Sequence, residues 1–242
     1  MVHVIAHRGF SGRYPENTLL SISKALEAGA HGVEIDIRMT KDRKLVLFHN
    51  KTLRWGFGVR RKISGKTWAE LQKQKVHGEP IPLLEDILRF LKKAGAEPIF
   101  LDMKIANCVK ELAHAIKKTR TKERIIVCSS NGGFMEKLKS LIPETKFAYG
   151  MDNRPDKLRT WRKIHGKIGL FSINIYNKRP LSTGRIIRKA KDRNLKAYAW
   201  FVRHSRNFKR MEELVFMGVD GVITDYPDEV LKRFRRIKNL FS

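Results

Sequence analysis

Glu34 and Asp36 stand two residues apart in the run Gly32-Val33-Glu34-Ile35-Asp36-Ile37. In an extended chain alternate side chains share a face, so both carboxylates point one way while Val33, Ile35 and Ile37 point the other. Two ionised carboxylates roughly 5 Å apart repel by about 3 kcal/mol at an effective dielectric of about 20, so the pair calls for a cation or for one protonated partner. Asp102 and Lys104 repeat this spacing between Leu101 and Met103, adding a third carboxylate and an ammonium. All-oxygen ligation by Glu34, Asp36 and Asp102 favours one divalent cation, Mg2+ first with Ca2+ or Mn2+ next, over zinc. The plain alternatives are a solvated or ion-paired strand end for Glu34 and Asp36, and an internal ion pair for Asp102 with Lys104. His7 closes the run Val2-His3-Val4-Ile5-Ala6, and His49 closes Leu45-Val46-Leu47-Phe48. A neutral imidazole takes or gives a proton near neutral pH, which cleavage of a phosphodiester requires of a base and an acid. Arg8 offers a fork for phosphate oxygens and Gly9 a close backbone approach; a surface ion pair is the alternative for Arg8. His3, His31, His77, His114, His165 and His204 read as structural.

These side chains act together only if the ends of their strands converge. Eight β-rich runs alternate with helical patterns: Val2 to Ala6, Gly32 to Arg38, Pro98 to Lys104, Arg124 to Cys128, Lys146 to Gly150, Gly169 to Asn174, Lys196 to Val202 and Val219 to Thr224. That rhythm predicts an α/β fold, a TIM-type (β/α)8 barrel, whose working face lies at the carboxyl ends of the strands. The helix expected over Glu16 to Ala28 carries an apolar stripe of Leu19, Leu20, Ile22, Ser23 and Leu26 and ends at Gly29. Ser205 and Asp225 read as helix caps. After the second strand, Leu45 to His49 reads as a short extra strand, followed by an irregular insertion at about 50–82 before a helix from Leu83 to Ala94. Trp55, Phe57 and Trp68 would form a small hydrophobic cap there or line a substrate entrance. Residues 1–242 read as one domain.

Formal charge is +27, from 51 Lys plus Arg against 24 Asp plus Glu. The excess fits attraction to nucleic acid, attraction to an anionic membrane, or a general cationic and heat-adapted composition. Basic residues are spread along the second half without an aromatic-interleaved block, so no dedicated nucleic-acid module is expected. Cys108 and Cys128 are too few for a disulfide scaffold and read as reduced core thiols. No apolar run approaches membrane-spanning length, which makes a soluble cytoplasmic protein the expectation. The stretch from Val230 through Leu231, Phe234, Ile237 and Leu240 to Phe241 alternates with cations. It fits the last barrel helix packing inward, or at most a peripheral contact with anionic lipid.

His7-Arg8-Gly9, Pro15-Glu16-Asn17-Thr18, Glu34-Ile35-Asp36, His49, Leu101-Asp102-Met103-Lys104 and the run from Gly218 to Pro227 occur in this order along nearly the whole chain. The combination resembles the glycerophosphodiester phosphodiesterases. The resemblance implies a barrel that hydrolyses small-molecule glycerophosphodiesters to glycerol 3-phosphate and an alcohol with a divalent cation and two histidines. Carried over by position, Glu34, Asp36 and Asp102 would hold the metal, His7 and His49 would be the acid/base pair, and Arg8 and Lys104 would bind phosphate. Glu16 would stand near the site, and Trp200 would line the glycerol end or serve as a barrel-core aromatic. The chain departs from the family pattern with Asp102 in place of Glu, Asn50 in place of Asp and Arg203 in place of Asn. Two other readings are a lysophospholipase D-like activity on single-chain lipids and a noncatalytic basic barrel holding anionic polymers.

Overall fold

The computed structural model describes residues 2–55, 59–151, 155–176, 180–201 and 206–240, with backbone alone at 55, 151, 155–159, 176, 180–182 and 237–240. Strand β1 (His3–His7) leads through α1 (Leu19–Glu27) to β2 (Gly32–Met39), which doubles back as β3 (Leu45–Leu47). Two hairpins follow, β4 (Thr52–Trp55) with β5 (Val59–Lys62) and β6 (Lys75–Val76) with β7 (Glu79–Pro80), separated by the short helix α2 (Trp68–Gln72). From there strands and helices alternate: α3 (Leu84–Lys93), β8 (Ile99–Met103), α4 (Val109–Thr119), β9 (Ile125–Ser129), α5 (Gly132–Leu141), β10 (Lys146–Met151) and α6 (Pro155–Ile168). The chain ends with β11 (Ser172–Tyr176), α7 (Pro180–Lys191), β12 (Lys196–Trp200), α8 (Phe208–Phe216), β13 (Gly221–Thr224) and α9 (Pro227–Leu240).

Eight parallel strands, in the order β1, β13, β12, β11, β10, β9, β8 and β2, close into a barrel through the pairing of β1 with β2. The expected eight runs are these strands, displaced by one to three residues at some ends. Alternation does the sorting. Val33, Ile35 and Ile37 face the helix layer and are fully buried, while Ile5, Phe100, Ile126, Tyr198 and Ile223 fill the barrel from inside. Phe100 and Tyr198 meet edge to face, ring centroids 4.8 Å apart, and form a floor beneath the mouth.

Helix α1 starts later than its pattern suggested. Asn17 adopts φ 58° and spends its side chain on β2, so Thr18 becomes the cap, exchanging bonds with Ser21 in a capping box. The buried face is therefore Ser21, Ile22 and Ala25, and Leu19 is exposed. Ser21 tolerates burial because its hydroxyl donates to Arg8 O and Thr18 O.

The stretch after β3 is more regular than expected. Its hairpins and α2 enclose a satellite core of Val46, Leu53, Ile63, Leu71 and Ile81, with Trp68 packed against it. Trp68 thus belongs to the cap; Phe57 and the side chain of Trp55 lie outside the described residues. So do Arg203, His204, the expected cap Ser205 and Phe241; Asn207 caps α8. On α9, Val230 and Leu231 pack inward as expected. Cys108 and Cys128 are free and buried. Among the described residues no helix is long and apolar enough to cross a membrane.

Phe100→Ala should remove the floor and cost about 3–5 kcal/mol of unfolding free energy in denaturant titration, the usual price of deleting a core aromatic ring.

Candidate active site

Strand register brings the polar side chains together. His7 is the neighbour of Glu34 across β1 and β2, and Asp36 is the neighbour of Asp102 across β2 and β8. Carboxylate oxygens of Glu34, Asp36 and Asp102 lie within 4.8 Å of one another. His49 reaches the same rim because β3 runs back along β2 until Phe48 N–H donates to Asp36 O. His7, Arg8, Glu34, His49, Asp102, Lys104 and Trp200 all border one cavity of about 330 Å³, which Cys128, Ser129 and Asn174 also line.

His7 is 3 % exposed and held at both ring nitrogens. Nδ1 lies 2.6 Å from Asp225 Oδ1, and Trp200 Nε1–H donates to Nε2 at 3.1 Å. The carboxylate accepts from Nδ1–H, so the lone pair lies on Nε2, which also faces Glu34 at 3.8 Å. Ser11 Oγ–H donates to the same Asp225 oxygen at 3.0 Å. Asp225 therefore orients the imidazole from a position two residues ahead of α9, which begins at Pro227. It sits inside the Gly218 to Pro227 motif, but its partner is 218 residues away and no local pattern pairs them.

His49 is half-buried, with Nδ1 3.0 Å from Asn50 Oδ1. Its backbone carbonyl accepts two bonds from Arg38, from Nε at 2.9 Å and from the guanidinium Nη2 at 2.7 Å. Arg38 thus tethers the turn that carries the imidazole, a role that the sequence reading missed. Burial lowers the His49 pKa, and the charge of Asp36 opposes that shift.

Arg8 departs from an ordinary backbone: φ is 56°, in the left-handed region, and its N–H donates to Glu34 O and to Glu34 Oε2. Gly9 follows at φ 77°, where an added Cβ would meet Ser21 Oγ at 2.5 Å. The loop is pinned against α1, and the Arg8 side chain turns into the mouth. Its Nη1 donates to Glu16 Oε2 at 2.9 Å and its Nε stands 2.9 Å from Asp36 Oδ2. Lys104 places its ammonium 2.9 Å from Asp36 Oδ1 and 2.5 Å from Asp102 Oδ2. Asn17 completes the cradle, donating to Asp36 Oδ2 and accepting from Asp36 N–H.

Burial pushes the Glu34 carboxyl well above the usual carboxylate range, and the charges of Asp36 and Asp102 add to the shift. Burial acts the same way on Asp36, but the Lys104 ammonium and the Arg8 guanidinium outweigh it and hold that carboxyl below its ordinary value. Burial works against the Lys104 ammonium, yet Asp102, Asp36 and Glu34 raise its pKa. Glu16, Glu34, Asp36 and Asp102 together exceed Arg8 and Lys104 by two negative charges. Three carboxylates in one cluster suit a hard divalent cation. Asp36 Oδ1, buried and without a hydrogen bond, adds a donor with spare capacity.

The sequence of this barrel matches the glycerophosphoryl diester phosphodiesterase family over residues 7–229. The chain belongs to that family. A Bacillus altitudinis glycerophosphodiester phosphodiesterase is 28 % identical over 251 residues, covering 96 % of this chain and 98 % of the relative. Among solved structures, a glycerophosphodiester phosphodiesterase from Parabacteroides distasonis superposes with a TM-score of 0.82 at 24 % identity, over 98 % of each chain. An Oleispira antarctica phosphodiesterase, solved with its product sn-glycerol-3-phosphate, superposes with a TM-score of 0.80 at 24 % identity over 96 % of each chain. As a glycerophosphodiester phosphodiesterase, the protein is a phosphoric diester hydrolase, and a noncatalytic basic barrel is set aside.

Asp225→Asn should keep the fold and lower kcat by at least about a hundredfold, because the amide neither fixes the Nδ1–H tautomer nor stabilises an imidazolium. Steady-state kinetics beside a thermal melt would show it, and an unchanged kcat would remove Asp225 from the account.

Proposed function

We propose that the protein hydrolyses glycerophosphodiesters to glycerol 3-phosphate and an alcohol at the barrel mouth, with His7 and His49 as the acid/base pair and one divalent cation as cofactor. The observation that carries this reading is the shared cavity: two imidazoles of different surroundings border it together with an acidic cluster and two fixed cations. Glu34, Asp36 and Asp102 would hold the cation, Mg2+ by preference with Ca2+ or Mn2+ as alternatives, and it would neutralise charge on the phosphoryl oxygens.

Arg8 spends one Nη1 N–H on Glu16 and sets Nε beside Asp36, which leaves Nη2 among the guanidinium donors for a phosphate oxygen. Lys104 adds positive charge on the opposite edge of the cluster. His7 takes the proton of the nucleophile at Nε2, which Trp200 Nε1–H gives up on substrate binding, and Asp225 stabilises the imidazolium that forms. The nucleophile is water, or the neighbouring glycerol hydroxyl closing a cyclic phosphate; phosphorus NMR separates the two. His49 returns a proton to the leaving alkoxide. Its burial favours the neutral ring, and the anionic diester beside it favours the charged one. Trp200, bonded to His7, lines the glycerol end of the cavity, and Glu16 steadies Arg8.

The small-molecule diester is the substrate, and neither a nucleic-acid partner nor more than peripheral contact with anionic lipid is part of this reading. Both thiols being free and buried supports a cytoplasmic site of action. The test is hydrolysis of a glycerophosphodiester that stops with a chelator and returns with Mg2+. His7→Ala and His49→Ala should each lower turnover by at least about a hundredfold. Near-normal rates in either variant, or activity indifferent to chelation, would contradict the assignment.

A further inference from the structure

His49 borders a second cavity as well as the first. This space, about 450 Å³, lies between the loop after β1 and the stretch after β3, and its walls include Tyr14, Glu16, Phe48, Asn50, Val76 and His77. His77 stands at the β6–β7 turn with φ 50° and is exposed. His49 therefore lines two spaces, the cavity with His7 and Trp200 and this one.

Displacement at phosphorus puts the nucleophile and the leaving oxygen on opposite sides of the reacting centre. A group that protonates the leaving oxygen must stand on the leaving side, within hydrogen-bond reach. With His7 beside the glycerol end and His49 lining both spaces, the alcohol half of the diester has its exit toward the second cavity.

We infer that this second cavity is the binding site for the alcohol moiety and that it selects an uncharged polyhydroxy alcohol over a quaternary ammonium alcohol. The inference rests on the reading that His49 protonates the leaving alkoxide. Chemistry of the walls decides the class. Glu16, the acidic side chain among these walls, is already paired with Arg8 at 2.9 Å. A trimethylammonium group would therefore enter without a free counter-charge, in a protein of formal charge +27. The amide of Asn50 and the ring of His77 instead offer hydrogen-bonding groups that suit several hydroxyls. Phe48 and Val76 supply an apolar side for the carbon skeleton.

The test compares kcat/KM for glycerophosphoinositol, glycerophosphocholine and the methyl ester of glycerol 3-phosphate, whose small leaving group needs no second cavity. The native enzyme should favour the inositol ester over the choline ester by about tenfold or more, the scale of a few directed hydrogen bonds. Val76→Trp, which fills the space, should lower the inositol ester at least about tenfold more than the methyl ester. His77→Asp at the exposed turn, where Asp tolerates a left-handed φ, should move the inositol-to-choline ratio toward choline by about tenfold and does not depend on core packing. A native preference for choline, or equal losses on all three esters in Val76→Trp with an unmoved ratio in His77→Asp, would overturn the inference. Absence of hydrolysis of every ester by the native enzyme would instead overturn the phosphodiesterase reading beneath it.

Discussion

The structure turns on an excess of negative charge held out of water at the mouth of the barrel. Glu34 and Asp36 are 5 % and 0 % exposed, and neither can relax into solvent. Arg8 and Lys104 compensate part of this charge and decide its distribution: they keep Asp36 ionised, whereas Glu34 retains a raised pKa. A carboxyl whose folded pKa lies above its unfolded value favours the fold at low pH and loses that contribution as pH rises through the folded value. The protein thus becomes less comfortable where it must bind phosphate, unless a cation replaces the proton. A cation held by Glu34, Asp36 and Asp102 would tie the stability of the barrel to the occupancy of its site.

Much of the local architecture serves to hold this cluster still. Arg8 accepts a left-handed backbone so that its amide can bond Glu34 while its side chain reaches Asp36 and Glu16. Asn17 gives up a place in α1 to clamp both the backbone and the carboxylate of Asp36. Arg38 leaves the barrel face of β2 to hold the carbonyl of His49. The stretch after β3 packs on a satellite core that it shares with Val46 of β3, which fixes it to the edge of the barrel sheet beside His49.

Period-two alternation made the Glu34 and Asp36 face legible in the sequence, and the same rule located Asp102, Lys104 and the strand-end histidines. The eight strands were legible for a related reason: buried parallel strands are short, apolar and evenly spaced. Contacts that join distant segments left no such trace. Asp225 was legible as a helix cap but not as a partner of His7, because only the closed barrel puts it 2.6 Å from that imidazole. Arg38 looked like one more cation among many. The stripe through Leu19 misjudged α1 because hydrophobicity alone ignored Ser21, which can be buried once Arg8 O and Thr18 O accept its hydroxyl.

Calorimetric titration of Mg2+ into the protein, repeated in two buffers of different ionisation enthalpy across a range of mildly acidic pH, addresses the charge balance most directly, because binding that displaces a proton from Glu34 must release it to the buffer. One ion should bind per chain with measurable proton release, and Glu34→Gln should lose both the release and at least about tenfold in affinity. Binding that releases no proton, or that is as tight in Glu34→Gln as in the native chain, would contradict the account.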